Sequence, residues 1–451
     1  LQPAQPCRAR APTPARERPD ADAEDQQDVR RIKPGVGYSP SRVEEALARM
    51  ERLAIKQGVD FLRVEPRITR NDRELTLDIE FLLVRGPRIF VERIDIEGNT
   101  TTLDRVIRRQ FDTVEGDPFN PREIRETAER IRALGYFSES DVNAREGSRP
   151  DQVVVDVDVE ETTTGSLTFG GSFSSDDGLG ITVGFSERNF LGRGQTLGAS
   201  ISASADTANY AINFIEPSFL GRDVAFGLSS SLIETDGDNS LYDTTFAGFR
   251  PSLTFPLAER SRLTLYYNAA YSEIENYRGI SPTLAAEATL GSQVASAVGF
   301  RYRYDSRDTG LNPNAGVLVD TGLEFSGLGG DQNYVKSSLT LVGERKIFNE
   351  DVTLRGVLQG GVIAFSSPFQ SRAVDRYTDK VMRGFEANGM GPVQLGEFLG
   401  GNKFAVAKFE AEFPIGLPAE FGLTGGAFYD IGSIWDVDTI GVAHSVGFKP
   451  R

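Results

Sequence analysis

The sequence predicts two regions, an α+β region that ends near Thr162 and an antiparallel transmembrane β-barrel that follows it. Upstream of Thr162, charged segments with a helical apolar period alternate with short strands. Downstream, residues 162–451 are Gly-rich and alternate apolar with small or polar residues, as in 197–205 and 224–229. Repeated segments of roughly 10 such residues are typical of strands that face lipid on one side and a polar lumen on the other.

Composition excludes several classes of protein. The 451 residues carry a net charge of −16, which gives no basic surface for phosphate, so nucleic acid is not an expected partner. A single cysteine, Cys7, excludes an internal disulfide. No apolar run reaches the roughly 20 residues that a membrane helix needs. The chain begins at Leu1 without an apolar signal core, and we expect it to be a fragment or a processed product.

Residues 1–35 are rich in Ala, Arg, Pro, Asp and Gln and have no periodic apolar face, so we expect them to be disordered. Residues 36–87 form the first predicted folded unit. Ser39 is a favoured N-cap residue, and Pro40 suits the first helical turn, where its missing N–H costs nothing. The unit is predicted to contain a helix with apolar positions from Val43 to Ala54 and two strands, over 61–69 and 75–84.

Residues 88–161 form a second predicted unit with the order β-α-α-β-β. A strand that begins at Ile89 ends at Gly98, two helices follow, and Gly135 ends the second helix. The last strand alternates valines with Asp and Glu over 153–160. The first unit repeats the α-β-β half of this order. We therefore interpret the two units as repeats whose helix faces pack as core rather than forming cofactor pockets.

The predicted barrel strands can be checked by the lengths of their connections. Counted from Gly165, the even-numbered connections are short, whereas the odd-numbered ones include long segments at 272–292 and 366–401. Outer-membrane barrels keep one side short and the other long. The sequence therefore predicts about 14 strands, the last over 442–448, with both long loops on one face.

The same alternation assigns charged residues to the inner face of the barrel. A charge on the lipid face would cost about 2–4 kcal/mol for Arg or Lys at mid-bilayer. The polar face of each strand must therefore line the interior. The predicted inner residues on the eighth, ninth and twelfth strands are Arg301, Arg303, Asp305, Asp320, Glu324, Lys408, Glu410 and Glu412.

One long loop carries the predicted functional contact. It contains Arg383 and is followed by a strand with an acidic face that includes Glu410. On the next strand, Asp430 has inward parity. An Arg–carboxylate fork is geometrically specific and is stronger away from water. We therefore expect Arg383 to fold into the barrel and to pair with Glu410, Asp430 or both. The alternative is a solvated loop arginine.

At this loop the chain resembles a known family. The segment Met382-Arg383-Gly384-Phe385 is similar to a signature of the BamA family of outer-membrane assembly factors, the POTRA-plus-β-barrel insertases. Further residues resemble the turn signature of the same superfamily: Asp305, Arg307, Asp308, Pro313 and Gly316. Four other segments also match the family pattern: 92–100, 132–137, 400–402 and 428–432.

The resemblance implies a domain organisation and a function. Residues 36–87 would be a partial POTRA domain, 88–161 a POTRA domain and 162–451 an outer-membrane β-barrel. In the family, the loop arginine contacts acidic residues on strands twelve and thirteen, which carries over to Glu410 and Asp430. The family inserts nascent β-barrel proteins into the outer membrane without enzymatic chemistry or a cofactor. Its POTRA domains lie in the periplasm and bind partner lipoproteins, and its barrel contacts outer-membrane lipid.

The resemblance also gives the first barrel strand a role. This strand contains Gly165, Ser166, Gly170 and Gly171, so it would pair weakly and open easily at a seam that templates client strands. The alternative is that these glycines only relieve crowding. Because the family barrel has about 16 strands, we expect the barrel here to be C-terminally incomplete.

No catalytic or metal site is predicted. The only His, His444, lacks neighbours that would support a Ser-His-Asp triad. One His and one Cys also disfavour zinc. The turns at 175–178 and 236–238 lack calcium-loop spacing and are typical of hairpins. Two other functions stay open: a polypeptide-secreting or passive channel of the same superfamily, and a lipid-modifying barrel enzyme, which would need a Ser/His site.

Overall fold

The computed structural model contains two compact units, an N-terminal unit (Leu1–Thr162) and a C-terminal unit (Thr163–Arg451). The structure describes residues 7–9, 13–14, 40–56, 62–71, 76–85, 89–174, 178–236, 241–258, 260–307, 315–348, 351–366, 368, 370–378, 381–416, 423–438 and 445–450. Among these residues, no helix combines the length and the apolar character needed to cross a membrane.

The first half of the N-terminal unit packs one helix against a small sheet. Apolar residues on one helix face, Val43, Leu47 and Met50, are at most 4% exposed and pack with the fully buried Phe81. The helical period of these residues therefore places the core between helix and sheet. The elements are strands β1 (Cys7–Ala9) and β2 (Thr13–Pro14), helix α1 (Pro40–Lys56), and strands β3 (Leu62–Asn71) and β4 (Thr76–Arg85).

Strands β1 and β2 lie in the segment for which the sequence predicts disorder. Both pair in parallel with β4, whose other edge pairs with β3 in antiparallel. The prediction of disorder is therefore wrong for these two strands. Its physical basis was the lack of an apolar period, but an extended segment needs only backbone groups to pair with a free strand edge.

The second half of the N-terminal unit has the predicted order β-α-α-β-β. Its central strand is parallel to the first strand and antiparallel to the remaining one. The core joins both helices to the sheet through Ile107, Ile131 and Val155, none of which is exposed. The elements are β5 (Phe90–Glu97), α2 (Asp104–Arg108), α3 (Pro121–Leu134), β6 (Phe137–Glu146) and β7 (Gln152–Glu161).

Helix α3 shows why its boundaries are readable from the sequence. Asn120 accepts a hydrogen bond from the N–H of Arg122 at 3.0 Å, and Pro121 occupies the first turn. At the other end, Gly135 has φ = 66°, a left-handed conformation that glycine adopts without a Cβ clash. Both ends of the helix are thus set by residues that adjoin it in the sequence.

The C-terminal unit is built on one antiparallel sheet of 13 strands in chain order. This arrangement confirms the predicted antiparallel fold class. The strands are β8 (Gly165–Ser174), β9 (Gly178–Phe190), β10 (Gln195–Ala203), β11 (Thr207–Glu216), β12 (Ala225–Thr235), β13 (Asp243–Ala258), β14 (Ser261–Glu275), β15 (Gln293–Asp305), β16 (Ala315–Gly330), β17 (Tyr334–Ile347), β18 (Val352–Phe365), β21 (Lys403–Pro414) and β22 (Thr424–Trp435).

The predicted fourteenth strand does not extend this sheet. The C-terminal segment is a strand, but it pairs with a strand of the loop between β18 and β21. Alternation of side chains fixes the faces of a strand and not its partner, so the prediction is wrong on the partner. In the described residues, β8 and β22 are the end strands, and no pairing joins them. The separate sheet contains β19 (Phe385–Gln394), β20 (Glu397–Phe398) and β23 (Ser445–Pro450).

The two longest connections of the sheet lie on the same side. One short connection contains a 3-10 turn (Phe219–Gly221), whereas the two longest, 276–292 and 366–402, both lie on the opposite side. The first of these carries helix α4 (Pro282–Thr289). Strand parity requires this arrangement, because successive connections of an antiparallel meander alternate between its two ends.

Candidate functional site

The loop between β18 and β21 places Arg383 on the polar, inner face of the sheet. Its Nη2 and Nε donate to the two carboxylate oxygens of Asp430 at 2.6 and 2.8 Å. Its Nη1 lies 2.8 Å from Oε1 of Glu410. The guanidinium carbon also lies 4.1 Å from the centroid of the Phe428 ring, within the range of a cation–π contact. A bidentate fork, a second carboxylate and an aromatic face thus surround one guanidinium.

Strand register explains why these side chains meet. In the pairing of β21 with β22, Lys408 lies opposite Asp430 and Glu410 lies opposite Phe428. Residues two apart on a strand share a face, so all four belong to the inner face. The Asp430 side chain is 6% exposed, against 31% for Glu410. Asp430 is therefore the more shielded of the two acceptors.

The residues after Arg383 determine how the chain leaves the contact. Gly384 has φ = 88°, a region in which a side chain would be strained. Phe385 then begins β19. The segment therefore turns directly after the arginine and enters a strand. Of the predicted contact residues, the structure brings Arg383, Glu410 and Asp430 together and gives Gly384 the turn.

The first strand of the sheet contains the glycines that were predicted to form a seam. β8 pairs only with β9 among the described residues, in a register from Gly165 opposite Glu187 to Ser174 opposite Gly178. A Cβ at Gly171 would meet nothing within 4 Å, whereas one at Gly165 would lie 2.8 Å from the Glu187 carboxylate. Open space at Gly171 shows that crowding does not require glycine at that position. Ser166 and Gly170 lie in the middle of this register, opposite Ser186 and Thr182.

The predicted turn signature is partly described. Asp305 accepts hydrogen bonds from Nε and Nη2 of Arg307, each at 2.9 Å, and one from Arg303 at 3.0 Å. A Cβ at Gly316 would lie 2.3 Å from Cα of Arg307, so only glycine allows this close approach. These contacts tie the end of β15 to the start of β16. Asp308 and Pro313 lie outside the described residues.

Other charges on the inner face are paired across strands. Arg301 forms a fork with Asp320 at 2.6 and 2.7 Å, and Arg250 lies 3.8 Å from Glu324. Asp320 and Glu324 are 9% and 6% exposed. The face that alternation predicts to be the inner one therefore carries these charges, and its carboxylates are compensated by cations from other strands of the sheet.

A second buried charge cluster was not predicted from the sequence. Arg376 from the loop 366–402 pairs with Glu287 of α4, with side-chain exposures of 0% and 8%. Burial lowers the pKa of Arg376 to about 10, so it stays charged at neutral pH. The neighbouring Arg372, 1% exposed, lies 3.7 Å from Asp375. No local pattern joins residues that are 89 positions apart. The one signal in the sequence was that six of the twelve residues 372–383 are charged.

The described residues contain no group of three or more His, Cys, Asp or Glu side chains arranged to hold a metal ion. His444, the one histidine, lies outside the part of the chain that the structure describes. The Arg383 site is thus a set of ion pairs and a turn, and it can hold a loop against the inner face of the sheet.

Two known families match the two units. Residues 89–162 match a POTRA family described as a surface antigen variable number repeat. Residues 189–440 match the Omp85 superfamily domain, and this match covers more than half of the chain. The first match falls on the second half of the N-terminal unit, and the second match includes β21, β22 and the Arg383 loop.

Curated relatives come from bacteria and from animals. The outer membrane protein assembly factor BamA of Neorickettsia risticii is 27% identical over 94% of the chain and 57% of its own length. BamA of Neisseria meningitidis serogroup B is 24% identical, over 90% of the chain and 54% of its own length. The human sorting and assembly machinery component 50 homolog is 21% identical over 77% of the chain. The chain thus spans little more than half the length of these two BamA relatives.

Solved structures share the fold at low identity. BamA from Haemophilus ducreyi lacking POTRA domains 1–3 has a TM-score of 0.64 at 18% identity, covering 96% of the chain and 87% of that structure. CdiB from Escherichia coli has a TM-score of 0.54 at 15% identity, covering 98% of the chain and 81% of that structure. Together with the POTRA match and the described sheet, the domain match over 189–440 shows that this chain belongs to the Omp85 superfamily.

Proposed function

We propose that the chain assembles β-barrel proteins into the outer membrane. It lies in that membrane with its POTRA domain in the periplasm. The observation that carries the proposal is the union, in one chain, of a POTRA domain with an Omp85 sheet that holds the Arg383 loop on its inner face. Relatives with these domains are named outer membrane protein assembly factors. Nascent barrel proteins are then the substrates, and the role needs neither an enzymatic site nor a cofactor.

In this function the Arg383 contact holds the loop while the sheet changes shape. The fork to Asp430 and the contact to Glu410 join the loop to two adjacent strands near one end of the sheet. Charged hydrogen bonds of this kind contribute more than neutral ones, about 1.5–3 kcal/mol each when shielded. The contact therefore keeps β21 and β22 in register next to an end that must admit another strand.

The other end of the sheet supplies the pairing edge. Arg188 donates its N–H to the carbonyl of Thr164, and hydrogen-bonded pairs alternate along an antiparallel ladder. Even-numbered residues of β8 therefore bond to β9, and odd-numbered residues such as Gly171 direct their N–H and C=O to the open edge. An unpaired edge of this kind templates an incoming strand. The POTRA domain would guide that strand and bind partner lipoproteins, and outer-membrane lipid would cover the apolar outer face.

The function is tested by measuring insertion of a reporter barrel protein into vesicles that contain the full chain. We expect Arg383→Ala to lower the insertion rate at least about tenfold, because the fork to Asp430 and the contact to Glu410 are both lost. Arg355→Ala is the matched control, since Arg355 lies 3.7 Å from the same Glu410 but belongs to β18. An unchanged insertion rate for Arg383→Ala would contradict the proposed role of this contact.

The second candidate is a polypeptide-secreting or passive channel of the same superfamily. BamA and CdiB share the fold of this chain, so the fold alone does not separate this candidate from an assembly factor. Ion conductance of the same vesicles separates the two functions. For a channel, Arg383→Ala would alter the conductance, and neither the unchanged chain nor the variant would insert the reporter. For an assembly factor, the unchanged chain would insert the reporter and Arg383→Ala would lose that insertion.

The pairing edge is tested by a matched pair of substitutions at Gly171. Gly171→Pro removes the edge N–H without disturbing the bonds to β9, and Gly171→Ala keeps that N–H in a position with open space. We expect the proline variant to insert the reporter up to about tenfold more slowly and the alanine variant to insert it normally. Equal rates for the two variants would show that this edge does not pair with the substrate.

A further inference from the structure

The two long loops of the C-terminal unit form a shared core, which we call the loop lid and define as residues 276–292, 370–378 and 390–402. Leu284 of α4 and Leu399 of the second loop are 2% and 1% exposed and belong to one apolar cluster. The same cluster contains Ala373 of the second loop and Val437, which follows β22. The lid is thus a packed structure rather than two separate loops.

Polar contacts join the two loops at two separate points. At the first, Arg376 pairs with Glu287, whose other carboxylate oxygen accepts the N–H of Ala373 at 2.8 Å. Arg376 also donates to the carbonyl of Leu399 at 2.8 Å. Glu287 therefore takes both a charge and a backbone donor from the second loop, and each partner would be left buried and uncompensated without it.

At the second point, the turn between β19 and β20 covers the start of α4. Glu397 accepts the N–H of Ile280 at 2.6 Å, and Gln394 accepts the N–H of Thr283 at 3.1 Å. Gln394 thereby satisfies one of the backbone donors that a helix start leaves without an internal partner, and Glu397 holds the residue before the N-cap Ser281. The loop that carries Arg383 is therefore fixed to the first loop on both sides of the arginine.

We propose that Glu287 is a positioning residue for Arg383, an inference that rests on the proposed function for its biological meaning. Arg376 is followed by Tyr377, which exchanges backbone hydrogen bonds with Gly401 at 2.8 and 2.9 Å. Arg383 follows Tyr377 by six positions and the end of β18 at Phe365 by eighteen. The lid thus places an anchor closer in sequence to Arg383 than the end of β18 is.

The size of this effect follows from loop closure. The probability of closing a flexible segment falls with the 3/2 power of its length. Shortening the segment from eighteen to six positions therefore favours the Arg383 contact about fivefold. Loss of Glu287 should return this factor, because Arg376 would be buried without its charged partner and the adjacent backbone pair of Tyr377 with Gly401 would open more often.

The proposal is tested by thiol labelling of the full chain, which requires no substrate. In a Cys7→Ser background, Met382→Cys places one thiol beside Arg383. We expect Glu287→Gln to speed maleimide labelling about fivefold. Asp243→Asn is the matched control, because Asp243 holds the first loop through Arg278 and is not in the second loop. Equal rates for Glu287→Gln and the background would overturn the proposal, and a Glu287→Asp variant should give an intermediate rate.

A second measurement remains valid if Glu287 variants do not fold. Coupling between two contacts is reciprocal, so Arg383→Ala should speed amide exchange in the lid by the same factor of about five. The amides to follow are those of Ala373 and Tyr377, which donate within the lid. Unchanged exchange would overturn the proposal. Because neither readout depends on barrel insertion, failure of the positioning role and failure of the proposed function are distinguishable.

Discussion

The two units of this chain distribute apolar and charged side chains in opposite ways. In the N-terminal unit, Ile107 and Val155 are fully buried. In the sheet of the C-terminal unit, Phe169 and Ile181 are 72% and 61% exposed, whereas Glu324 is 6% exposed. Residues of the same type therefore stabilise one unit from its interior and the other from its outer surface. The two units differ in their surroundings: water surrounds the N-terminal unit, and hydrocarbon surrounds the sheet of the C-terminal unit.

The largest expected effect contrasts an interior position with an outer one. We expect Ile131→Ala to destabilise the N-terminal unit by about 2–5 kcal/mol, because Ile131 is fully buried and its removal leaves a cavity. Ile181→Ala, on the outer face of the sheet, leaves no cavity and should cost much less. Amide exchange in the full chain measures both effects, through the amides of α3 and of β9. Equal effects would mean that the outer face of the sheet is packed like a core.

The second prediction places one charge on each face of the same strand. Register assigns Leu265 to the outer face, opposite Phe300, and Thr264 to the inner face, opposite Arg301. Leu265→Arg should destabilise the sheet by about 2–4 kcal/mol if this position lies near mid-bilayer. Thr264→Arg should cost less, since the inner face already holds charges. Urea titration of vesicle-embedded protein measures the difference, and a reversed order would overturn the assignment of the faces.

The alternation of inner and outer side chains along the strands is also the feature that the sequence predicts best. The first barrel strand was expected from Gly165 and is observed as β8, and the inward parity of Glu410 and Asp430 agrees with the Arg383 contacts. A period of two is a strong signal, because a slip of one residue would move every apolar side chain to the wrong face. Helix α3 was readable for a similar reason, since Asn120 and Gly135 act locally.

Partner choice was not predictable in the same way. Alternation predicted a strand near the C-terminus but not that β23 would pair with β19. Composition predicted disorder where β1 pairs with β4. The pair of Arg376 and Glu287 also joins distant segments. In each case the face of a residue follows from its neighbours in sequence, whereas its partner depends on which distant edge or charge the fold brings near.

The third prediction separates the two carboxylates that hold Arg383. Asp430→Asn should weaken the loop contact by about 1–3 kcal/mol, because Asp430 receives two hydrogen bonds and is shielded. Glu410→Gln should weaken it by less than about 1 kcal/mol, since Glu410 is more exposed and also faces Arg355. The rate of tryptic cleavage after Arg383 reports the open loop in both variants. Faster cleavage in Glu410→Gln than in Asp430→Asn would contradict this ranking.

The smallest expected effect lies in the N-terminal unit, where water makes a carboxylate contact weaker. Glu161 accepts hydrogen bonds from the N–H groups of Thr101 and Thr102 and from the hydroxyl of Thr100. Burial raises the pKa of Glu161, but these donors outweigh it and lower the pKa to about 2. We expect Glu161→Gln to cost about 1–2 kcal/mol, measured by amide exchange at Thr101 and Thr102 in the full chain.

The pH dependence of this contact follows from its sign. A carboxyl group with a pKa lowered in the folded state binds protons more readily when unfolded, so its contribution is fully present above the ordinary value of 4.5. That contribution should fall as the pH drops from 4.5 toward about 2. In Glu161→Gln this part of the acid sensitivity should disappear, whereas Glu160→Gln on the same strand should retain it. If both variants keep the same acid profile, the threonine donors do not stabilise the charged form of Glu161.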